Sequence, residues 1–160
     1  MSKTVSHEMH YEAPIEAVAA MLADPAFREA VCRAQNATST SATIEKRADG
    51  THVRIEQSQP AEGIPSFARK IAGSSIDIIQ EEHWTTPEQG TVTVTIPGKP
   101  GDMVGTARLA ASGEGTIETV ELTVTASIPL IGGKIEGLIA DKLVRALKSE
   151  HRVGREYLAG

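Results

Sequence analysis

The feature that most constrains this chain is a change of hydrophobic period at Pro129, where segments with every second residue apolar give way to one long stretch at helical spacing. Between Ala37 and about Ile128 the period is two. In Thr119 to Ile128, the residues Val120, Leu122, Val124, Ala126 and Ile128 fall on one side, and Thr119, Glu121, Thr123, Thr125 and Ser127 on the other. Such a strand turns one face to a core and the other to water. Thr51 to Glu56, Thr91 to Ile96 and Met103 to Leu109 alternate in the same way. Turn signals at Asp49-Gly50, Gln89-Gly90, Gly98 to Gly101 and Ser112 to Gly115 predict hairpins, and hence an antiparallel meander. Beyond Pro129 and the Gly132-Gly133 pair, Ile135, Ile139, Leu143, Ala146, Val153 and Tyr157 share a stripe opposite Glu136, Ala140, Lys148 and Glu156. This predicts an amphipathic helix of about six turns.

The first forty residues add the remaining elements. Thr4 to Tyr11 sets Val5, His7, Met9 and Tyr11 on one face and Thr4, Ser6, Glu8 and His10 on the other, which predicts strand one. Ala13-Pro14 then opens a short helix with Ile15, Val18, Ala19 and Leu22 on one stripe. Asp24-Pro25 is a second helix start, an acidic cap followed by proline at the first helical position, with Phe27, Ala30, Val31 and Ala34 spaced helically after it.

The order is therefore one strand, two short helices, about six strands and one long helix, an α+β chain. No linker or repeat divides it, and residues 1–160 are expected to form a single domain. A long antiparallel sheet with one apolar face twists and curls, and the terminal helix is the available cover. A curved sheet of about seven strands closed by a helix encloses volume. Aromatic residues make up only 3% of the chain, and the strand from Met103 carries Gly105 and Ala107 at inward positions, so the interior is expected to be hollow unless small residues let the helix approach.

Composition excludes several classes of function. A net charge of −5 with basic and acidic residues interspersed argues against nucleic acid as a partner. Cys32 is the only cysteine, which rules out an intrachain disulfide and any zinc site with two thiolates. No apolar run is long enough to cross a bilayer, and a cytoplasmic location is the expectation. Phosphate loops, nucleophile elbows, paired Cys-x-x-Cys and His-Glu-x-x-His are absent, so no catalytic residue, cofactor or metal ligand is assigned.

The stretches Tyr11-Glu12-Ala13-Pro14-Ile15-Glu16-Ala17-Val18 and Leu22-Ala23-Asp24-Pro25, with the segment from Ile128 to Leu158, resemble the START-like or SRPBCC superfamily, which includes birch-pollen-allergen-like proteins, lipid-transfer domains and polyketide cyclases. Phe67-Ala68-Arg69-Lys70 and Pro129 to Glu136 are similar to an uncharacterised bacterial family of unknown function within it. The resemblance implies a helix-grip fold, a curved antiparallel sheet with the long C-terminal helix across it, and supplies no catalytic residues. Ala19 departs from the pattern, because many relatives carry Trp or Phe there.

The expected ligand is an apolar small molecule such as a lipid, polyketide or isoprenoid, bound or carried in the interior. Its wall is assigned to Val53, Ile55, Ile76, Ile78, Val92, Val94, Met103, Leu109, Val120, Leu122 and Val124 from the sheet, closed by Ile135, Ile139 and Leu143 from the helix. Trp84, the one tryptophan, either stacks on a flat ligand or is an ordinary core residue. Two polar groups are placed at the pocket: His7, which shares a face with Val5 and Met9, and Glu150, which falls between Ala146 and Val153 on the apolar stripe. Each also has a structural reading, a hydrogen-bonded core histidine and a carboxylate paired with Arg28 or Arg33. Ile64, Phe67 and Ile71, at helical spacing in the segment Pro60 to Gly73, form either a lid or a packed surface helix. Two rival functions remain open: a cyclase or hydratase using inward polar groups, and an interaction protein that needs no ligand.

Overall fold

The computed structural model describes residues 2–160. One seven-stranded sheet, with every neighbouring pair antiparallel, has the order β1-β7-β6-β5-β4-β3-β2. The strands are β1 (Ser2–Tyr11), β2 (Ser39–Arg47), β3 (Gly50–Pro60), β4 (Ser75–Thr86), β5 (Gln89–Thr95), β6 (Asp102–Ser112) and β7 (Gly115–Thr125). The chain crosses from the β1 edge to the β2 edge through α1 (Ile15–Leu22) and α2 (Pro25–Ala34). Asp24 caps α2 as expected, its carboxylate accepting from the Ala26 amide at 2.9 Å. The last helix, α4 (Gly132–Ala159), packs along β1 and β7 and against α1 and α2. This is the helix-grip architecture.

Alternation decides what each strand buries. Along β7 the inward residues are Thr116, Glu118, Val120, Leu122 and Val124, and Val5, Met9 and Tyr11 face the same side from β1. The main core lies between this concave face and the helices, with Met9, Val18, Met21 and Phe27 almost wholly excluded from solvent. A second cluster joins Ile64, Ala68 and Ala72 of the β3–β4 connection, which contains α3 (Ser66–Ala72), to Ala126 and Ile135.

Three details depart from the sequence reading. First, α4 has 28 residues, about 42 Å at 1.5 Å per residue, and its inward face is rotated from the stripe read off the sequence. Glu136 and Ala140 are buried, whereas Tyr157 is exposed and its hydroxyl donates to Asp24 at 2.6 Å. The cause is a second neighbour, since the first turns of α4 are flanked by Ala126 and the α3 cluster as well as by the sheet. Second, β7 ends at Thr125 rather than Ile128, because the Ala126 amide leaves the ladder to donate to the Glu136 carboxylate at 2.9 Å. Third, Gly105 does not hollow the interior. A Cβ there would sit 1.7 Å from the Glu121 carbonyl oxygen, so this glycine marks where the β6 and β7 backbones approach each other.

That contact yields a direct expectation. Gly105→Ala must push backbone against backbone, and overpacking of this kind costs about 1–3 kcal/mol; a rigid obstacle places the cost toward the upper figure. Urea unfolding should show the loss as a lowered midpoint, and an unchanged midpoint would remove Gly105 as a determinant of the β6–β7 pairing.

Candidate functional site

Between the concave face and α4 lies a cavity of about 590 Å3, within the range of small-molecule sites. Ile55, Ile76, Ile78, Val92, Val94, Met103, Val120 and Leu122 line it from the sheet, and Ile135, Ile139 and Leu143 from α4. One end is covered by the β3–β4 connection, which contributes Ile64, Ala68, Ile71 and Ala72. Gly63 and Gly73 bracket that segment with φ of 73° and 71°; the Gly73 pair of φ 71° and ψ −153° is accessible essentially to glycine alone. Phe67 points away, partly exposed, with the Lys134 ammonium 5.9 Å from its ring centroid.

Several residues assigned to the site from the sequence lie elsewhere. Val53, Leu109 and Val124 face the core without reaching the cavity, at positions where the sheet packs on neighbouring side chains. Trp84 is buried beside Gly90, where a Cβ would meet its ring at 2.7 Å, and its indole N–H donates to Glu82 at 2.8 Å. His7 sits outside the lining, partly buried. Burial, then the charges of His151 and Lys148, lower its pKa. Glu150 does line the cavity.

The far end of the cavity is polar. Arg28 of α2, 3% exposed, donates from Nε to the Leu22 carbonyl at 2.8 Å and from its two terminal nitrogens to both Glu82 oxygens at 3.0 and 2.7 Å. Gln80 also donates to Glu82. Burial pushes the Glu82 carboxyl upward, but the guanidinium and the three donors outweigh it and hold the pKa below the ordinary value. Glu118 of β7 is 2% exposed, and its Oε1 has no hydrogen-bond partner among the described residues. Burial first, and then the neighbouring Glu150, raise the Glu118 pKa well above the ordinary range. Burial likewise lifts Glu150 to about 7, against the attraction of Arg28. Cys32 is on the lining too, its thiol pushed up by burial and so held in the unreactive form.

Glu82 and Glu118 are not among the residues assigned from the sequence, and Arg28, expected there only as a partner for Glu150, pairs with Glu82 instead; yet each obeys a period. Glu118 is in phase with Val120 and Leu122, and Glu82 with Ile78, Gln80 and Trp84. Arg28 lies four residues before Cys32 on the buried face of α2.

Two other places are less suited to a ligand. Asp49, His52 and His83 bring their ligand atoms within 4.8 Å of one another on the outer face of β3 and β4, a nitrogen–oxygen set of the kind zinc accepts. They already satisfy each other, with His52 Nε2 2.9 Å from Asp49 Oδ1 and the two imidazoles stacked at 4.3 Å. Beside the start of α4 an open depression of about 450 Å3 is lined by Ala126 to Leu130 and Glu136, whose carboxylate is engaged by the Ala126 amide. No helix among the described residues is long and apolar enough to cross a membrane.

Residues 6–158 match the model of a family described as a protein of unknown function, DUF2505, and the chain belongs to that family. An uncharacterised protein of Mycobacterium tuberculosis is 31% identical over 111 residues, 65% of this chain and 64% of the relative, so the match spans less than two-thirds of the relative's length. Among solved structures, a protein of Thermus thermophilus superposes with a TM-score of 0.68 at 20% identity, covering 96% of this chain and 95% of that one. Ara h 8.0201 gives 0.65 at 12% identity with both chains fully covered. Norcoclaurine synthase from Thalictrum flavum gives 0.64 at 11%, covering 100% of this chain and 88% of that one. At these identities the likeness is one of fold, and it bears out the START-like resemblance at that level.

Two outcomes follow from the polar end. Arg28→Met strands a buried carboxylate, so it should cost about 3–5 kcal/mol, whereas Arg28→Met with Glu82→Leu should recover most of that loss; a double variant no more stable than the single one contradicts the pairing. The second concerns pH. Because the Glu150 pKa is raised in the folded state, the native protein binds the extra proton between its ordinary value of 4.5 and about 7. Stability from this group is complete below that window and is lost as pH rises through 7. Glu150→Gln should therefore gain stability over the wild type at pH 8 and lose the advantage by pH 4.5, in urea unfolding at both values. The opposing contribution of His7 is common to both proteins and cancels. An equal difference at the two pH values would be the contrary result.

Proposed function

We propose that the chain binds an apolar small molecule in the cavity between the sheet and α4. The observation that carries this reading is the cavity wall itself: aliphatic side chains from β3 through β7, α3 and α4 converge on one volume of about 590 Å3. An alkyl or ring system placed there contributes about 0.8 kcal/mol per buried methylene, enough for useful affinity without a charged contact. The segment from Gly63 to Gly73 acts as the lid, since with Lys99 and Pro100 of the β5–β6 connection it covers the end of the cavity away from Arg28 and its two flanking glycines let the backbone turn. Carriage follows from reversible opening of that segment.

A specific observation also favours the enzyme reading. Glu118 and Glu150 face one cavity, and Glu150 is held near neutrality, the arrangement from which a carboxylic acid and a carboxylate can exchange a proton with a bound molecule.

Titration with N-phenyl-1-naphthylamine, a neutral apolar fluorophore, tests the binding reading. The probe should bind with one-to-one stoichiometry and blue-shifted emission. Ala107→Phe places a ring in the volume that Ala107 lines and should weaken the probe at least tenfold while the protein remains folded by circular dichroism. Binding unaffected by the ring would locate the probe elsewhere and sink the reading.

A further inference from the structure

We infer that the polar end of the cavity receives the ammonium group of an amphipathic amine, whose apolar body lies along the aliphatic wall. The inference rests on the cavity-binding reading and specifies the chemistry of its ligand.

Each Glu82 oxygen accepts from Arg28, and each takes one further donor, Trp84 on Oε1 and Gln80 on Oε2. The Arg28 hydrogen bonds go to Glu82 and the Leu22 carbonyl. None of the Arg28 hydrogen bonds reaches Glu118 or Glu150, whose carboxyls make no ion pair or hydrogen bond among the described residues. Glu118 is nonetheless 2% exposed, with Oε1 unpartnered, and lines the cavity. A buried acceptor without a donor is costly, and a ligand donor removes that cost.

Charge then selects the kind of donor. Three carboxyls, Glu82, Glu118 and Glu150, line this end against one guanidinium. Four other charged residues line the cavity, Glu62, Lys99, Lys142 and Arg145; Lys99 is beside Gly73, and none of the four is among the groups acting on Glu118 or Glu150. Two further titratable groups neighbour Glu150 and both stay neutral: the Tyr11 phenol of β1, pushed up by burial and then by Glu150 and Glu118, and the Cys32 thiol of α2, pushed up by burial. A ligand carboxylate would add a fourth acid. A hydroxyl would fill the open acceptor and leave the charge as it is. An ammonium does both, donating to Glu118 and balancing the carboxylates that it draws into ionised form. Recognition of a cation at one end and an apolar body at the other defines the class as long-chain or ring-bearing amines.

Displacement of N-phenyl-1-naphthylamine by dodecylamine, 1-dodecanol and dodecanoate, each below its micellar concentration at pH 7, compares three head groups on one chain. Dodecylamine should displace the probe at a concentration at least tenfold below dodecanol, with dodecanoate weakest. Glu118→Gln, which keeps the shape and removes the charge, should bring the amine to within about threefold of the alcohol. That ratio also separates the site from general attraction of amines to an acidic protein. Calorimetry of dodecylamine in phosphate and in Tris should give different apparent heats, because binding releases protons from the carboxyls. An alcohol or carboxylate equal to the amine, or an amine preference that survives Glu118→Gln, overturns the inference. If the probe binds without head-group preference, the cavity reading stands and this one falls. If calorimetry detects no saturable dodecylamine binding, the inference falls whether or not the probe binds.

Discussion

The structure depends on the buried pair between Arg28 and Glu82. One guanidinium joins three elements: its Nε holds the carbonyl of Leu22 at the end of α1, its backbone belongs to α2, and its terminal nitrogens grip β4. The chain must travel from one edge of the sheet to the other between β1 and β2, and the two short helices that carry it have no hydrogen-bonded ladder of their own to the sheet. The pair fixes where they stand on the concave face. Placing two charges at 3% and 4% side-chain exposure carries a desolvation cost that apolar residues would not. Full coordination is what makes it tolerable, because Trp84 and Gln80 satisfy the remaining positions on Glu82.

Much of the fold was legible because period two and period 3.6 are hard to confuse over long segments. The meander, the paired helix starts at Pro14 and Asp24-Pro25, and the closing helix all follow from that pattern. Its failures have a common physical origin, a second neighbour that a one-dimensional pattern does not contain. Glu136 was read as solvent-facing because it is charged, yet the Ala126 amide, released where β7 ends, gives it a buried partner. Gly105 was read as empty space, whereas its missing Cβ admits the backbone of β7.

The candidate site divides along the same line. Eight of the assigned sheet residues and all three from α4 reach the cavity, since an apolar inward position in the middle of a curved sheet has little else to face. Val53, Leu109 and Val124 belong to the same inward register, but the covering helices fill the space over them. The acids were passed over for a different reason. Alternation assigns charged residues to the outer face, and Glu82 and Glu118 sit on the inner one, in phase with Gln80 and Val120. Reading phase before polarity exposes both.

The two ends of the cavity are unlike, and their separation follows from the strands. From Ile76 near the α3 segment to Glu82 at the ion pair is six residues of β4, about 20 Å at 3.3 Å per residue. The stretch of α4 from Ile135 to Glu150 likewise leads from the α3 cluster to the acids and covers a similar distance, about 22 Å at 1.5 Å per residue. Opening near the ion pair would break a buried, hydrogen-bonded pair of charges, whereas opening near α3 parts the apolar contacts of Ile64, Ala68 and Ala72 with Ala126 and Ile135 and the contact of Lys134 with the Phe67 ring. The α3 end is therefore the more weakly held of the two. A molecule admitted there would advance along aliphatic walls until its polar head met the acids, so the same asymmetry that holds the helices to the sheet would also orient the ligand.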